Sequence, residues 1–424
     1  MRSFLLLLVI FSIDSKYRIN VGTLKISEKA KQYVNEVLSS NRLSYGPFLK
    51  KFEKNFAKIH GCQFGVTSNS GTSSLQVALQ TLKELENWSD GDEVIVPSVT
   101  FVATSNIVLH NNMKPVFVDV EPDFFGINPH LIEEKITTKT RAIVVVHLFG
   151  QSADMDPILN LAKKYNLKVI EDSCETMFVT YKGRSVGSMG DIGCFSTYVA
   201  HLLVTGVGGL AITNTPIYAV KMRSLINHGR DNIYISIDDS DVSDSQLSEI
   251  IDKRFSFVGL GHSFRITEME GALGVAQLED CNDMISKRQA NASCLVEGLM
   301  PLDSHLHLPK IRCGCQHAFM MFPIVLRKED KVRLVNFLER RGIETRDMLP
   351  LINQPIYRKL FNIKQGDYPI ADWINKSGFY VGCHQDLTKD DLDYIIDVFF
   401  EYFGEQEISQ VTRSHKKNIV LARI

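Results

Sequence analysis

Neither sign of charge dominates this chain: 47 lysines and arginines against 49 aspartates and glutamates leave a net charge of −2. That balance offers no electrostatic reason to bind nucleic acid or an anionic membrane. A cysteine framework is missing as well; eight cysteines are scattered, which fits free thiols in a reducing compartment. Long apolar runs are absent. The unbroken run from Phe4 to Phe11 is too short to cross a bilayer as a helix. It follows Arg2 as the core of a signal peptide would, yet no small-residue cleavage site comes next, only Ser12-Ile13-Asp14-Ser15-Lys16. A buried strand or an extra start upstream of the domain is the plainer reading. No internal repeat or long low-complexity tract is visible. The basic tail Arg413-Ser414-His415-Lys416-Lys417 reads as a solvated end.

What is present is an alternation of strands and helices. Ser27 caps a helix over 27–39, with Ala30, Val34 and Val37 at helical spacing. A second helix is expected over 48–60, with Phe52 and Phe56 on one face. Strands are expected at 64–67, 93–96, 115–119, 142–146 and 168–172, with helices over 72–85 and 157–165 between them. Ala142-Ile143-Val144-Val145-Val146 is a continuous apolar run, as a strand covered on both faces requires. The rhythm predicts an α/β domain with a largely parallel sheet. Residues 236–248 are rich in Asp and Ser and read as a loop. A helix over 266–278 carries Gly271, Ala272, Gly274 and Ala276, which permit close packing. Beyond about Lys287 the pattern becomes a helix, a strand at 319–326 and a helix at 331–341: a smaller α+β domain. The expected division is an apolar extension at 1–18, a large domain at 19–286, a small domain at 287–404 and a tail at 405–424.

Five segments carry chemistry. Ser68-Asn69-Ser70-Gly71-Thr72-Ser73 joins a strand to a helix start, where free N–H groups favour an anion; the plain alternative is a cap. Pro97 to Thr104, with Phe101, follows a strand C-terminus, where α/β folds place ligands. Asp172 ends an apolar strand and Glu175 lies three residues on. Cys194-Phe195-Ser196-Thr197-Tyr198-Val199-Ala200-His201 precedes the Gly-rich Gly206-Val207-Gly208-Gly209. Gly261-His262-Ser263-Phe264-Arg265 precedes a helix.

In this order and spacing the five segments resemble the sugar aminotransferases of the DegT/DnrJ/EryC1/StrS family, over roughly residues 19–402. The resemblance implies a type I fold dependent on pyridoxal phosphate (PLP), with a large mostly parallel-sheet domain, a small C-terminal domain and a homodimer. It also implies a set of roles. Gly71, Thr72, Ser73 and Ser196 hold the phosphate. Phe101 stacks on the pyridine. Asp172 keeps the ring nitrogen protonated, which the electron sink requires, and Glu175 approaches the ring hydroxyl. Ser263 stands where an Asn reaches the phosphate of the neighbouring subunit. Asn227-His228-Gly229-Arg230 and Tyr380 to Gln385 look family-like without an assigned role. One relative, a 3-dehydrase of a CDP-linked sugar, carries an iron–sulfur cluster. Here Phe255 and Pro323 stand where ligands beyond Cys313 and Cys315 would be sought, so two ordinary thiols are expected and no metal. The substrates implied are cytosolic, and the cytoplasm is the expected location.

Three departures stand: His201 for the lysine that binds the cofactor covalently, Val207 where a Glu is common, and Ser263 for Asn. An imidazole cannot replace the lysine as an imine-forming amine. Relatives that make 3,6-dideoxy sugars share that histidine. The expectation is therefore a 3-dehydratase of nucleotide-linked 4-keto-6-deoxy sugars, using pyridoxamine phosphate (PMP) and glutamate as amino donor. His201, with a reference pKa near 6.5, would remove the C4′ proton, and the C3 hydroxyl would leave. Two readings stay open beside it. A sugar-nucleotide aminotransferase needs another lysine, of which Lys182 is the nearest upstream; a non-catalytic relative needs none.

Overall fold

The computed structural model describes residues 17–231, 255–348 and 351–404, together with 243, 245, 248, 251 and 253. Most of the expected loop at 236–248 lies outside the described residues. Seven strands form the main sheet, in the order Phe64–Ser68, Gly209–Thr213, Ile192–Ser196, Lys168–Asp172, Thr140–Val146, Glu93–Pro97 and Lys114–Val118. Every neighbouring pair is parallel except those involving Gly209–Thr213, which runs against both of its partners. The interior strand Thr140–Val146 explains the sheet. Ala142, Val144 and Val146 join one core, while Ile143 and Val145 join another on the opposite face. A two-residue period with both faces apolar needs helices above and below.

Six of these strands point their C-termini to one edge, and the loops there begin at Ser68, Pro97, Val118, Val146, Asp172 and Ser196. An open parallel sheet leaves its crevices along this edge. Helices then set the walls. Ser27 caps Glu28–Ser40 through a hydrogen bond from the Ala30 amide at 3.2 Å. Thr267 and Glu270 form a capping box at the start of Glu268–Glu279. The small residues of that helix are required: a Cβ on Gly271 would sit 2.8 Å from the Leu49 nitrogen, and one on Gly274 2.6 Å from the Phe52 ring.

A second sheet has the order Leu306–His307, Phe322–Leu326, Gly378–Val381 and Thr345–Asp347, all antiparallel. It has its own core, and that core includes Ile19, which bridges Ile343. The first described residues thus pack on the smaller unit, whereas the sequence placed them at the start of the large one. The expected boundary after residue 286 falls inside the helix Cys281–Leu299. Met348 and the segment 351–374 return to the large core through Met348, Leu351, Ile352, Tyr357, Ala371 and Ile374. Strand Phe322–Leu326 starts three residues later than expected, because Phe319 adopts a left-handed backbone (φ 47°) and leaves the extended region. Among the described residues no helix is long and apolar enough to cross a membrane.

Candidate active site

The site begins where helix Gly71–Leu85 meets the strand ends. Ser70 is its N-cap, accepting from the Ser73 amide at 3.0 Å. Ser73 is buried and donates its hydroxyl to Asn69 Oδ1 at 2.6 Å, while Thr72 is exposed on the first turn. Gly71 is the point of closest approach. A Cβ there would lie 2.7 Å from Cys174 Sγ and 2.8 Å from the Ser196 Cβ. A Cβ on Gly209 would collide with the Ser70 carbonyl at 2.4 Å. So three segments far apart in sequence, ending at Ser70, Cys174 and Ser196, converge on one helix N-terminus. That terminus presents backbone donors and the positive end of the helix dipole.

Asp172 closes strand Lys168–Asp172 and is buried. Its Oδ2 accepts from Thr104 Oγ1 at 2.8 Å, and its Oδ1 accepts from the Cys174 amide at 3.2 Å. Burial pushes its pKa up, against the pull of those donors. Glu175 is also buried, with one hydrogen bond, from the Phe149 amide at 3.0 Å. Burial raises its pKa to about 7, helped by the nearby charge of Asp172. Phe149 makes that bond from a left-handed backbone (φ 58°), a strained conformation for a bulky residue. Phe101, on the turn before helix Ala103–His110, is 56% exposed.

Ser196 is buried at the end of Ile192–Ser196, and its Oγ accepts from the Tyr198 amide at 3.4 Å. The loop that follows is closed by a Thr197–Thr205 hydroxyl pair at 2.6 Å. Within it the His201 amide donates to the Tyr198 carbonyl at 2.9 Å. The Nδ1 of His201 is enclosed and has no hydrogen-bond partner, and burial lowers the imidazole pKa to about 4. Val207 is exposed in the same loop. Ser263 is not joined to these groups: its Oγ accepts from Arg265 at 3.1 Å, and its backbone bridges Asn227. Only its neighbour Phe264 reaches the loop, through a bond from the Asn69 amide to its carbonyl at 2.7 Å.

Lys182 makes none of these contacts. It lies in the hairpin of Thr180–Tyr181 and Arg184–Ser185, half exposed, with its ammonium 2.7 Å from Asp156. Cys313 and Cys315 are free thiols, and the described residues hold no group of three or more potential metal ligands.

The sequence of the chain decides its kinship. Residues 24–400 match the DegT/DnrJ/EryC1/StrS aminotransferase family. The chain belongs to that family. It is 32% identical to the GDP-perosamine synthase of Caulobacter vibrioides over 384 residues, 89% of this chain and 96% of that protein. It is 31% identical to the dTDP-4-dehydro-2,6-dideoxy-D-glucose 3-dehydratase of Saccharopolyspora spinosa over 385 residues, 86% of this chain and 82% of the other. A solved structure of GDP-4-keto-6-deoxymannose-3-dehydratase with bound GDP-perosamine superposes with a TM-score of 0.81 at 25% identity, covering 90% of this chain and 99% of that one. The fold is therefore that of the PLP-dependent aminotransferases, and the chain is an enzyme of the sugar aminotransferase and dehydratase kind.

The residues present fit a phosphorylated pyridine. The helix terminus at Gly71 supplies donors in a cradle that a Cβ would fill, Asp172 supplies a buried carboxylate, and His201 supplies an unpartnered imidazole nitrogen. Sequence reasoning missed the donors around the two acids: Thr104, the Cys174 amide and the Phe149 amide. It also missed the buried pair of His147 and Glu171 at 2.8 Å behind the site. The Thr100–Thr104 spacing of one helical turn was a readable signal; the backbone donors left none.

Proposed function

We propose that this enzyme is a 3-dehydratase of nucleotide-linked 4-keto-6-deoxy sugars, working with PLP in its pyridoxamine form. The observation that carries the reading is His201. By the order of the motifs it stands where the family carries its covalent lysine, and its imidazole is held neutral with an enclosed Nδ1 that has no partner. Lys182, the upstream lysine that an aminotransferase reading would call on, is ion-paired with Asp156.

When bound, the cofactor supplies an amine for the keto group and a ring that stores an electron pair. The chain's residues do the rest. Gly71, Thr72, Ser73 and Ser196 hold the phosphate, and Phe101 covers the ring. Asp172 holds a proton on the ring nitrogen. Glu175, with its pKa near 7, can present a proton to the ring hydroxyl. His201, neutral at working pH, accepts a proton on its free nitrogen and returns it to the departing C3 hydroxyl. Glutamate serves as amino donor, and a second copy of the chain completes the site beside Ser263.

The test is the mass of the product. The protein is incubated with PMP, glutamate and a panel of nucleotide-linked 4-keto-6-deoxyhexoses. Loss of the C3 oxygen is expected, with at least ~100-fold slower turnover in His201→Asn, the scale of a lost general base. A product bearing a new amine overturns the dehydratase reading.

A further inference from the structure

We propose that Thr100 and Thr104 are positioning residues: a two-hydroxyl relay that keeps Asp172 ionised and oriented for the ring nitrogen of the cofactor. The inference rests on the reading of Asp172 as the partner of that nitrogen. Thr104 Oγ1 is 2.8 Å from Asp172 Oδ2 and also 2.8 Å from Thr100 Oγ1. Each hydroxyl has a single proton to give. A carboxylate only accepts, so the Thr104 proton goes to Asp172, and Thr104 in turn accepts from Thr100. Ionised Asp172 thus sets the direction of the whole chain, and the chain in return favours the ionised form. A protonated Asp172 would have to reverse it.

All three side chains are buried, Thr104 completely, so water cannot stand in for a lost hydroxyl. The other groups facing Asp172 do not replace it. His147 is committed through Nε2 to Glu171 and through Nδ1 to the Ala153 amide at 3.1 Å. Glu175 is a second acid, whose own pKa Asp172 raises. The Cys194 thiol, across from Asp172 in the neighbouring strand, is buried and held neutral. The Cys174 amide donates to Oδ1, not to Oδ2 where Thr104 donates, and the Cys174 thiol also reaches the carboxylate. The relay also ties two functions together. The Thr104 amide donates to the Phe101 carbonyl at 3.2 Å, so one turn carries both the donor to Asp172 and the aromatic residue expected on the ring.

The experiment is PMP binding to the full chain, by fluorescence titration from pH 5 to 9 with no sugar present, so that it is independent of the dehydratase assay. Thr104→Val keeps the shape and removes the hydroxyl; Thr104→Ser keeps the hydroxyl. The Val variant is expected to bind PMP about 10-fold more weakly at pH 7, the scale of one lost hydrogen bond to a charged group. The acid limb of its affinity should move up by about one pH unit. The Ser variant should stay within about threefold of wild type, and Thr100→Val should show a smaller loss in the same direction. Should Thr104→Val fail to fold, Thr100→Val carries the same test. An unshifted acid limb in both Val variants overturns the relay, as do equal losses in Thr104→Val and Thr104→Ser. Wild-type protein that does not bind PMP overturns the reading of Asp172 itself.

Discussion

Glu171 and Asp172 are consecutive buried acids on one strand, and they face opposite fates. Glu171 accepts from His147 at 2.8 Å and from the amides of Gly187, Met189 and Gly190 at 2.6–2.8 Å. Burial alone would push its carboxyl up, but those donors outweigh burial and hold its pKa down. Asp172 has fewer donors, and burial wins. Glu175, with one backbone donor, goes furthest, to about 7. The lesson is one of saturation. A buried acid surrounded by donors on every side is structural, whereas one with an unfilled side stores the capacity to meet a ligand.

The largest effect should come from breaking the saturated member. Glu171→Gln puts an amide group against donors that need an acceptor, and leaves buried N–H groups unsatisfied. Chemical denaturation should show a loss of about 3–5 kcal/mol, the scale for removing one partner of a buried pair. A loss below about 1 kcal/mol would remove the distinction between the two acids.

The unsaturated member offers a pH test. The folded pKa of Glu175 is raised from 4.5 to about 7. Its contribution to stability is therefore fully present below the ordinary value, and is lost as pH rises through 7. Glu175→Gln should flatten that decline, narrowing the difference in unfolding free energy between pH 5 and pH 8 by about 2 kcal/mol. An unchanged difference would mean that Glu175 titrates as an ordinary carboxyl. The smallest effect is expected outside the acid cluster. Lys182→Met removes a half-exposed ion pair, so stability should change by less than about 1 kcal/mol and product formation not at all. A large loss of turnover would return Lys182 to the chemistry and revive the aminotransferase reading.

Much of this was legible in the residues. The strand rhythm, the apolar run at 142–146, the Ser27 cap and the small-residue face of Glu268–Glu279 all follow from local pattern. The burial of Asp172 and Glu175 was legible too, because both stand at the end of a buried strand. The reversed strand Gly209–Thr213 was not legible, since a five-residue apolar segment carries no mark of direction. The same holds for Ile19, an isolated apolar residue whose partner lies more than 300 positions away at Ile343.

Strand and helix periodicity was enough to predict the α/β fold, and the order of the motifs was enough to point to this family, because periodicity and residue type are local properties. Which acid is saturated, and which hydroxyl and amide serve it, was decided only by folding. Donors such as the Phe149 and Cys174 amides have no side-chain signature, and the helix start at Gly71 meets Cys174 and Ser196 only once the parallel strands bring their ends to one edge.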